Sequence, residues 1–356
     1  MTTGQQAKET SASNAAPTSE DTMQAVVQDA YGSADVLRLA RIPKPEIAGD
    51  EVLVRVHSAG LDRGTWHIMT GKPYALRLAF GFRGPKNPVP GLDLAGTVEA
   101  VGPEVTRFAV GNHVFGVGKG SFAQYAVAGE DHLALKPAGI SFEQAAVVPV
   151  SACTALQALR AGGIAGGLEI GTPAGQTATG LKVLITGASG GVGGYAVQFA
   201  KAAGAEVTGV CSDGKMDHVL SLGADRVIDY AKQDFADGSK RYDVIIDLAG
   251  NPSLKRLRRA LTHSGTAVLT GGEEGGPLTG GMDRQFRALA LSPFISQKLT
   301  MVVGTERSED LESLAELLQA GTIVPAIDRS YPLQQVPEAM RYFDAGKTRG
   351  KIAITM

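Results

Sequence analysis

The sequence predicts an α/β fold in which a doubly wound parallel sheet is joined to a mainly β domain, and three observations predict it. The chain has 356 residues, more than one hydrophobic core usually organises, so two domains are expected. From Leu181 onwards, short apolar runs alternate with segments of helical spacing, the rhythm of a parallel sheet covered by helices on both faces. From Met23 to the region of Val127 the runs are short and split by turn residues, as in a β domain.

The elements follow in order. Met1 to Thr22 is rich in Thr, Ser, Gln and Ala and carries Glu9, Glu20 and Asp21. It is expected to be a disordered tail, unlike a secretory or mitochondrial signal. Strands are expected at Gln24 to Gln28, Glu51 to Ala59, Thr97 to Val101, His113 to Gly116 and Phe122 to Val127. Ser141, three residues before Gln144, forms a capping box that opens a helix running through Pro149 to Arg160 and bridging the two domains. Ala161 to Gly180 reads as a loop. Strand Leu181 to Thr186, helix Val192 to Ala203, strand Glu206 to Val210, helix Met216 to Leu222 and strand Arg226 to Ile228 come next. Gly204 and Gly223 stand where helices should end. The alternation resumes with strand Asp243 to Leu248, helix Ser253 to Leu261, strands Thr266 to Thr270 and Leu299 to Val303, and helix Asp310 to Gln319. A short helix near Pro337 to Phe343 and a final strand Lys351 to Thr355 would return the chain to its first domain.

Composition narrows the function. With 34 basic and 36 acidic side chains, no global field attracts nucleic acid or an anionic membrane, and a small molecule is the expected partner. No apolar run approaches the roughly 18 residues of a membrane span. Two cysteines, Cys153 and Cys211, are too few for a disulfide framework or a Cys-rich zinc lobe, and a reducing cytoplasm is expected.

The informative motif is the turn Thr186 to Gly194, where a buried strand runs into Gly187-Ala-Ser-Gly-Gly-Val-Gly193 and then a helix. Such a turn sets backbone N–H groups and a helix N-terminus against a pyrophosphate, where side chains would obstruct approach. Ser189, Gly190, Gly191, Val192 and Gly193 are therefore the expected cofactor contacts; a tight turn alone would also explain the glycines. At the end of the next strand, where an NAD site places Asp or Glu against the ribose, stand Cys211 and Ser212. Ser212 and Lys215 would instead hold a 2′-phosphate, favouring NADPH over NADH. Asp213 opposes this unless it points away, and an exposed helix-start loop is the other reading.

Five blocks, taken together, resemble a family. They are Ser58-Ala-Gly-Leu-Asp-Arg-Gly-Thr-Trp66, Pro90-Gly-Leu-Asp-Leu-Ala-Gly-Thr-Val98, the glycine turn, Leu222-Gly-Ala-Asp225 and Tyr331-Pro-Leu-Gln-Gln-Val-Pro-Glu-Ala339. Their order and spacing resemble the medium-chain dehydrogenase/reductase superfamily, in its zinc-independent quinone oxidoreductase-like branch. The resemblance implies a Rossmann dinucleotide-binding domain, residues 146–324, inserted into a GroES-like catalytic domain formed by 23–145 and 325–356. Zinc-dependent members carry an early Cys ligand and a Gly-His-Glu motif; here Asp62 and Gly91-Leu-Asp93 stand in those places, so no zinc is expected. The six histidines show no metal-ligand spacing.

The resemblance also implies roles for single residues. Asp62 occupies a position where the branch usually carries a cleft-lining Asn; capping of the turn after strand Glu51 to Ala59 is an equal reading. His67 falls where relatives place a substrate-facing Tyr and would donate a hydrogen bond or a proton. Trp66 would be cleft wall or core. Thr154 resembles a nicotinamide-side hydroxyl and Tyr230 an aromatic residue beside the adenosine phosphate. Gly271, Gly272 and Val303 match positions at the carboxyl edge of the sheet. Lys351 resembles a basic residue near the cofactor, with a solvated charge as the other reading. A homodimer through edge strand Leu299 to Val303 is expected on the same ground.

Without a metal Lewis acid, reduction suits an enone or quinone, whose conjugated oxygen takes up the negative charge left by the hydride. An NADPH-dependent reductase of such substrates is the expected function. A zinc-free alcohol dehydrogenase or carbonyl reductase, and an NADPH-binding protein without turnover, are the alternatives. Specificity is expected from Thr65 to Phe82 and Gly275 to Phe294, which match no readable pattern.

Overall fold

The computed structural model describes residues 21–164, 178–271 and 275–356, and every element named here belongs to them. In chain order these are β1 (Thr22–Val27), β2 (Arg38–Pro43), β3 (Glu51–Leu61), α1 (Arg63–Thr70), α2 (Arg77–Phe80), β4 (Asp93–Val101), β5 (His113–Val117), β6 (Tyr125–Gly129), β7 (Leu133–Leu135), α3 (Phe142–Ala146) and α4 (Pro149–Ala161). There follow β8 (Lys182–Thr186), α5 (Gly191–Ala202), β9 (Glu206–Cys211), α6 (Met216–Ser221), β10 (Arg226–Asp229), β11 (Tyr242–Asp247), α7 (Leu254–Ala260) and β12 (Leu261–Leu269). The chain closes with α8 (Met282–Leu291), β13 (Lys298–Met301), α9 (Ser308–Gln319), β14 (Ile327–Pro332), α10 (Val336–Asp344) and β15 (Lys351–Thr355).

The predicted parallel sheet is present, in the order β10-β9-β8-β11-β12-β13 with every pair parallel. This is the doubly wound Rossmann order, and its direction reverses between β8 and β11. The run Val183-Leu184-Ile185 is uniformly apolar because both faces are covered. Val183 and Ile185 pack with α4, α5 and α9 on one side, while Leu184 packs with α7 and α8 on the other. Gly204 and Gly223, at φ +88° and +103°, end α5 and α6 in the left-handed conformation the sequence predicts there.

The second sheet runs β14-β15-β3-β4-β5-β7, with β6 also paired to β3. Its alternating strands bury one face around Val52, Val54, Val56, Leu94, Val114 and Ile352. The final strand does return to this sheet, Ile352 lying opposite Leu61 and Ile354 opposite Ala59 on β3. The GroES-like and Rossmann parts of the prediction are both met.

Several boundaries moved, each for a physical reason. Thr22, expected in the N-terminal tail, opens β1 and pairs with Pro43, while residues 1–20 of that expected tail lie outside the described residues. The helix expected from Ser141 to Arg160 is two helices. The Ser141–Gln144 capping box forms as predicted, but Pro149, which has no N–H to continue α3, occupies the first turn of α4. The strand expected at Phe122 to Val127 starts at Tyr125, because the chain ahead of it bonds β1 instead, Val26 N–H to Phe122 O (2.9 Å) and Gln124 N–H to Gln24 O (3.0 Å). β13 ends at Met301, so Val303 lies beyond it and is exposed. The segments expected to carry specificity hold helices that went unpredicted, α1, α2 and α8. Most of the loop Ala161 to Gly180 lies outside the described residues.

Candidate active site

The turn at the end of β8 is shaped by close backbone contact. Gly187 takes φ +64°, and a Cβ on Gly193 would lie 2.2 Å from Gly187 O, so only glycine lets α5 pack this closely on the strand. Side chains cap α1, α3 and α7 through Asp62, Ser141 and Ser253, whereas none caps α5. Its first-turn N–H groups, next to Ser189, Gly190, Gly191, Val192 and Gly193, are left for an anion. The residues present therefore fit a dinucleotide pyrophosphate.

The carboxyl edge around this turn is tied together. Thr186 Oγ1 donates to Asp247 Oδ1 (3.1 Å) and accepts from Leu248 N (2.9 Å) and Ala249 N (3.2 Å), joining the ends of β8 and β11 across the switch point. Asp247 is also paired with Arg284 of α8 (2.6 Å), which donates to Pro252 O (2.9 Å) and, with Gln285, to Gly271 O (3.0 and 3.2 Å). Burial pushes the Asp247 carboxyl up to about 6, with Arg284 and Thr186 opposing. Arg284 is a site residue the sequence reading missed. Gly271 is thus held by α8, and Gly272 lies outside the described residues.

The adenosine end departs from expectation in an instructive way. Asp213 is drawn off to Lys232 (2.8 Å), so it does point away from Ser212. Lys215, expected to hold a phosphate, donates to Gly346 O and Thr348 O (2.8 Å each). It staples the loop after α10 to the end of β9, because those two carbonyls have no helix to satisfy them. Ser212 and this loop line a cavity of about 590 Å³ whose cations are Lys215, Arg329, Lys347 and Arg349. Its one carboxylate, Asp328, accepts from Tyr342 Oη (2.9 Å) and Arg349 N (3.2 Å). Burial pushes the Cys211 thiol up to about 11, so it stays neutral beside this cavity. Tyr230 follows β10 and is exposed.

At the other end of the cleft, Thr154 donates back to Val150 O (2.7 Å), and Gly304 packs so closely on it that a Cβ there would lie 2.3 Å from Thr154 Oγ1. Asp62 is buried and caps α1, accepting from Thr65 N (2.8 Å) and Thr65 Oγ1 (3.1 Å). Trp66 donates to Asp344 (2.9 Å), packs on Arg63 and lies partly buried against the core of the β domain. Glu306, which sequence reasoning did not single out, lies near enough that burial first and then the Asp62 charge raise its carboxyl.

His67 is corrected. Its Nδ1 lies 2.6 Å from Lys72 O, which only accepts, so Nδ1 carries the hydrogen. Burial holds the ring below its ordinary protonation range, the Lys72 carbonyl opposing. With Nδ1–H committed to the Lys72 carbonyl, Nε2 is the ring nitrogen left for other partners.

Lys351 is far from a solvated charge: it is 3% exposed, and its Nζ donates to Ser151 Oγ (3.0 Å) and Asp93 Oδ2 (3.2 Å). Asp93 Oδ1 accepts from Val150 N (2.8 Å). Gly350 N–H bonds Ser189 O (2.8 Å), and a Cβ on Gly191 would meet the Lys351 stem at 2.7 Å. The last strand thus delivers a buried ammonium to the mouth of the phosphate turn.

A switch-point glycine turn on this sheet, facing a β domain that the chain's last strand completes, defines a two-domain dinucleotide-dependent oxidoreductase. The comparisons agree. Residues 48–156 match the alcohol dehydrogenase GroES-like domain and residues 222–354 a family described as zinc-binding dehydrogenase. The chain is 31% identical to a chloroplast envelope quinone oxidoreductase homolog of Arabidopsis thaliana, over 93% of this chain and 98% of the relative. It is 30% identical to a 2-methylene-furan-3-one reductase of Solanum lycopersicum, over 91% and 76%. The solved quinone oxidoreductase of Coxiella burnetii superposes with TM-score 0.80 at 25% identity, covering 94% of this chain and 99% of that one. The protein belongs to the medium-chain dehydrogenase/reductase superfamily, in its quinone oxidoreductase-like branch.

Proposed function

We propose that the protein is an NADPH-dependent reductase of conjugated carbonyl compounds, enones or quinones, acting without zinc. The observation that carries this is the uncapped glycine turn with the buried Lys351 at its mouth, in a chain whose relatives are named as quinone and enone reductases. The relatives' names support the substrate class, and the cation-lined cavity beside Ser212 supports the 2′-phosphate. The donor set does not fit a catalytic zinc. Leu92 offers no ligand, Asp62 has both oxygens on Thr65, and Asp93 is held by Lys351 and Val150.

The bound cofactor would supply the hydride. The chain's residues orient and exclude: Ser189 to Gly193 take the pyrophosphate by their N–H groups, and Lys351 approaches it from β15. Ser212, Lys347 and Arg349 face the 2′-phosphate, with Tyr230 beside the adenosine. Thr154, Gly271 and Val303 border the nicotinamide end. Asp62 positions α1, which carries Trp66 and His67 into the cleft. With the Nδ1–H of His67 occupied by Lys72 O, the proton that quenches the enolate comes from solvent. We assign residues 23–145 and 325–356 to the catalytic domain and 146–324 to the cofactor domain, and propose a homodimer through edge strand β13. The two cysteines are free and buried, which supports a reducing compartment such as the cytoplasm. Among the described residues no helix is long and apolar enough to cross a membrane.

Following NADPH oxidation with a quinone, an enone and a saturated ketone tests the reading. Turnover of the first two alone is expected. Turnover of the ketone alone would establish a carbonyl reductase instead, and thermal stabilisation by NADPH with no acceptor consumed would establish a binding protein.

A further inference from the structure

We infer that coenzyme binding is coupled to proton uptake by Asp93, because the incoming pyrophosphate competes with that carboxylate for the Lys351 ammonium. The inference rests on the coenzyme site proposed above and adds a linkage to it.

The geometry forces a choice on Lys351. Its Nζ is held between Asp93 (3.2 Å) and Ser151 (3.0 Å), while its stem crosses the first residue of α5, where a Cβ on Gly191 would touch it at 2.7 Å. Strand β15 is tied to the same turn through Gly350 N–H and Ser189 O (2.8 Å). A pyrophosphate on the α5 N-terminus therefore arrives beside an ammonium that is already the counterion of a fully buried carboxylate. Strengthening one ion pair weakens the other.

Asp93 is the group that can yield. Burial pushes its carboxyl up to about 7; Lys351 opposes, the Asp62 carboxylate at the start of α1 adds to the rise, and the Val150 N–H opposes. The other titratable groups that feel this charge stay protonated. Burial, reinforced by Asp93, raises the Tyr195 phenol of α5, and burial with Glu306, Asp310 and Asp93 raises the Cys153 thiol of α4. Ser151 brings a neutral hydroxyl, and β3 approaches with backbone at Gly60, where a Cβ would lie 2.8 Å from Asp93 Cβ. When a phosphate draws on Lys351, the force opposing Asp93 protonation falls and its carboxyl moves further up. The sign follows: the complex binds more protons than the free protein, so affinity is highest below pH about 7 and falls as pH rises, at most about tenfold per unit.

Isothermal titration calorimetry on the full chain, in buffers of differing ionisation enthalpy between pH 7 and 8.5, reads the proton count directly. NADPH and NADH are both titrated, since NADH lacks the 2′-phosphate that titrates on its own account. The expected result is net proton uptake with both coenzymes and a Kd for NADH that rises several-fold across the range. Asp93→Asn and Lys351→Met should each abolish the uptake and flatten the pH dependence. Coenzyme binding by the wild-type protein without proton exchange overturns the inference and leaves the functional reading intact, as does unchanged uptake in either folded variant. Failure of both coenzymes to bind overturns both. The wild-type measurement decides the matter even if a variant does not fold.

Discussion

If the proposed preference for NADPH rests on the cavity beside Ser212, replacing Arg349 with Ala should move the protein towards indifference between the two coenzymes. The cations of the cavity beside Ser212 are differently engaged, Arg329 lying over the Tyr342 ring (4.3 Å). Asp213 is neutralised by Lys232 at 2.8 Å, and Lys215 spends two of its N–H donors on Gly346 O and Thr348 O. Of the lining cations, Lys347 and Arg349 sit on the loop that Lys215 staples, and both are exposed. The Arg349 backbone N–H bonds Asp328 (3.2 Å), which fixes its main chain at the cavity rim. A hydrogen bond to a charged group contributes about 1.5–3 kcal/mol. In an open, solvated cavity the low end applies, and about 1.5 kcal/mol is roughly tenfold in affinity. The Kd for NADPH of Arg349→Ala should therefore rise about tenfold while that for NADH stays put. Fluorescence titration of both coenzymes, with kcat/KM for each, measures the ratio. Equal losses for NADPH and NADH, or no loss for either, would refute the placement of the 2′-phosphate here.

Three further outcomes are expected. Gly193→Ala puts a methyl 2.2 Å from Gly187 O, forcing α5 off the strand at a typical overpacking cost of about 1–3 kcal/mol; coenzyme binding by titration should weaken at least as much as thermal stability does. Asp62→Asn retains an acceptor for Thr65 N and should keep kcat, whereas Asp62→Ala loses the cap and about 1 kcal/mol of stability; a large kcat loss in the Asn variant would show that the charge itself takes part. Asp247, pushed up to about 6 in the fold from an ordinary carboxyl near 3.8, makes a stability contribution present below pH 4 and lost as pH rises through 6. About two units at about 1.4 kcal/mol each gives ~3 kcal/mol. Urea midpoints from pH 4.5 to 7.5 should therefore fall less steeply in Asp247→Asn than in the wild type, and parallel curves would count against it.

What the sequence made legible is what local chemistry dictates. The turn Gly187 to Gly193 needs glycine at particular backbone positions, and the run Val183 to Ile185 is apolar on both faces, so each announces itself in a few residues. The same holds for the Ser141–Gln144 box. Where tertiary partners decide, the sequence was silent or misleading. Lys215 reads as a phosphate ligand until the loop at Gly346 and Thr348, more than a hundred residues on, supplies its acceptors. His67 reads as a donor until Lys72 O fixes its tautomer. Helix α8 carries scattered apolar residues because its buried face includes Arg284 and Gln285, which serve Asp247 and Gly271 instead of an apolar core.

One short segment explains why the charged part of the site resisted a linear reading. Residues 346–351 contain both the loop that faces Ser212 and the lysine that faces Gly191, so in the proposed site one stretch of chain would address both anionic parts of a dinucleotide. That stretch leads into β15, which pairs with β3, and it lies far downstream in the sequence of the glycine turn. Because Gly350 N–H bonds Ser189 O, and Lys215 bonds the loop at two further carbonyls, the segment is fixed to the Rossmann sheet before any coenzyme arrives. The main chain that carries these cations is then placed in advance, which lowers the entropic cost of binding. The same rigidity means that Lys351 cannot swing far from Asp93, and a buried carboxylate that loses part of its counterion has only a proton to replace it.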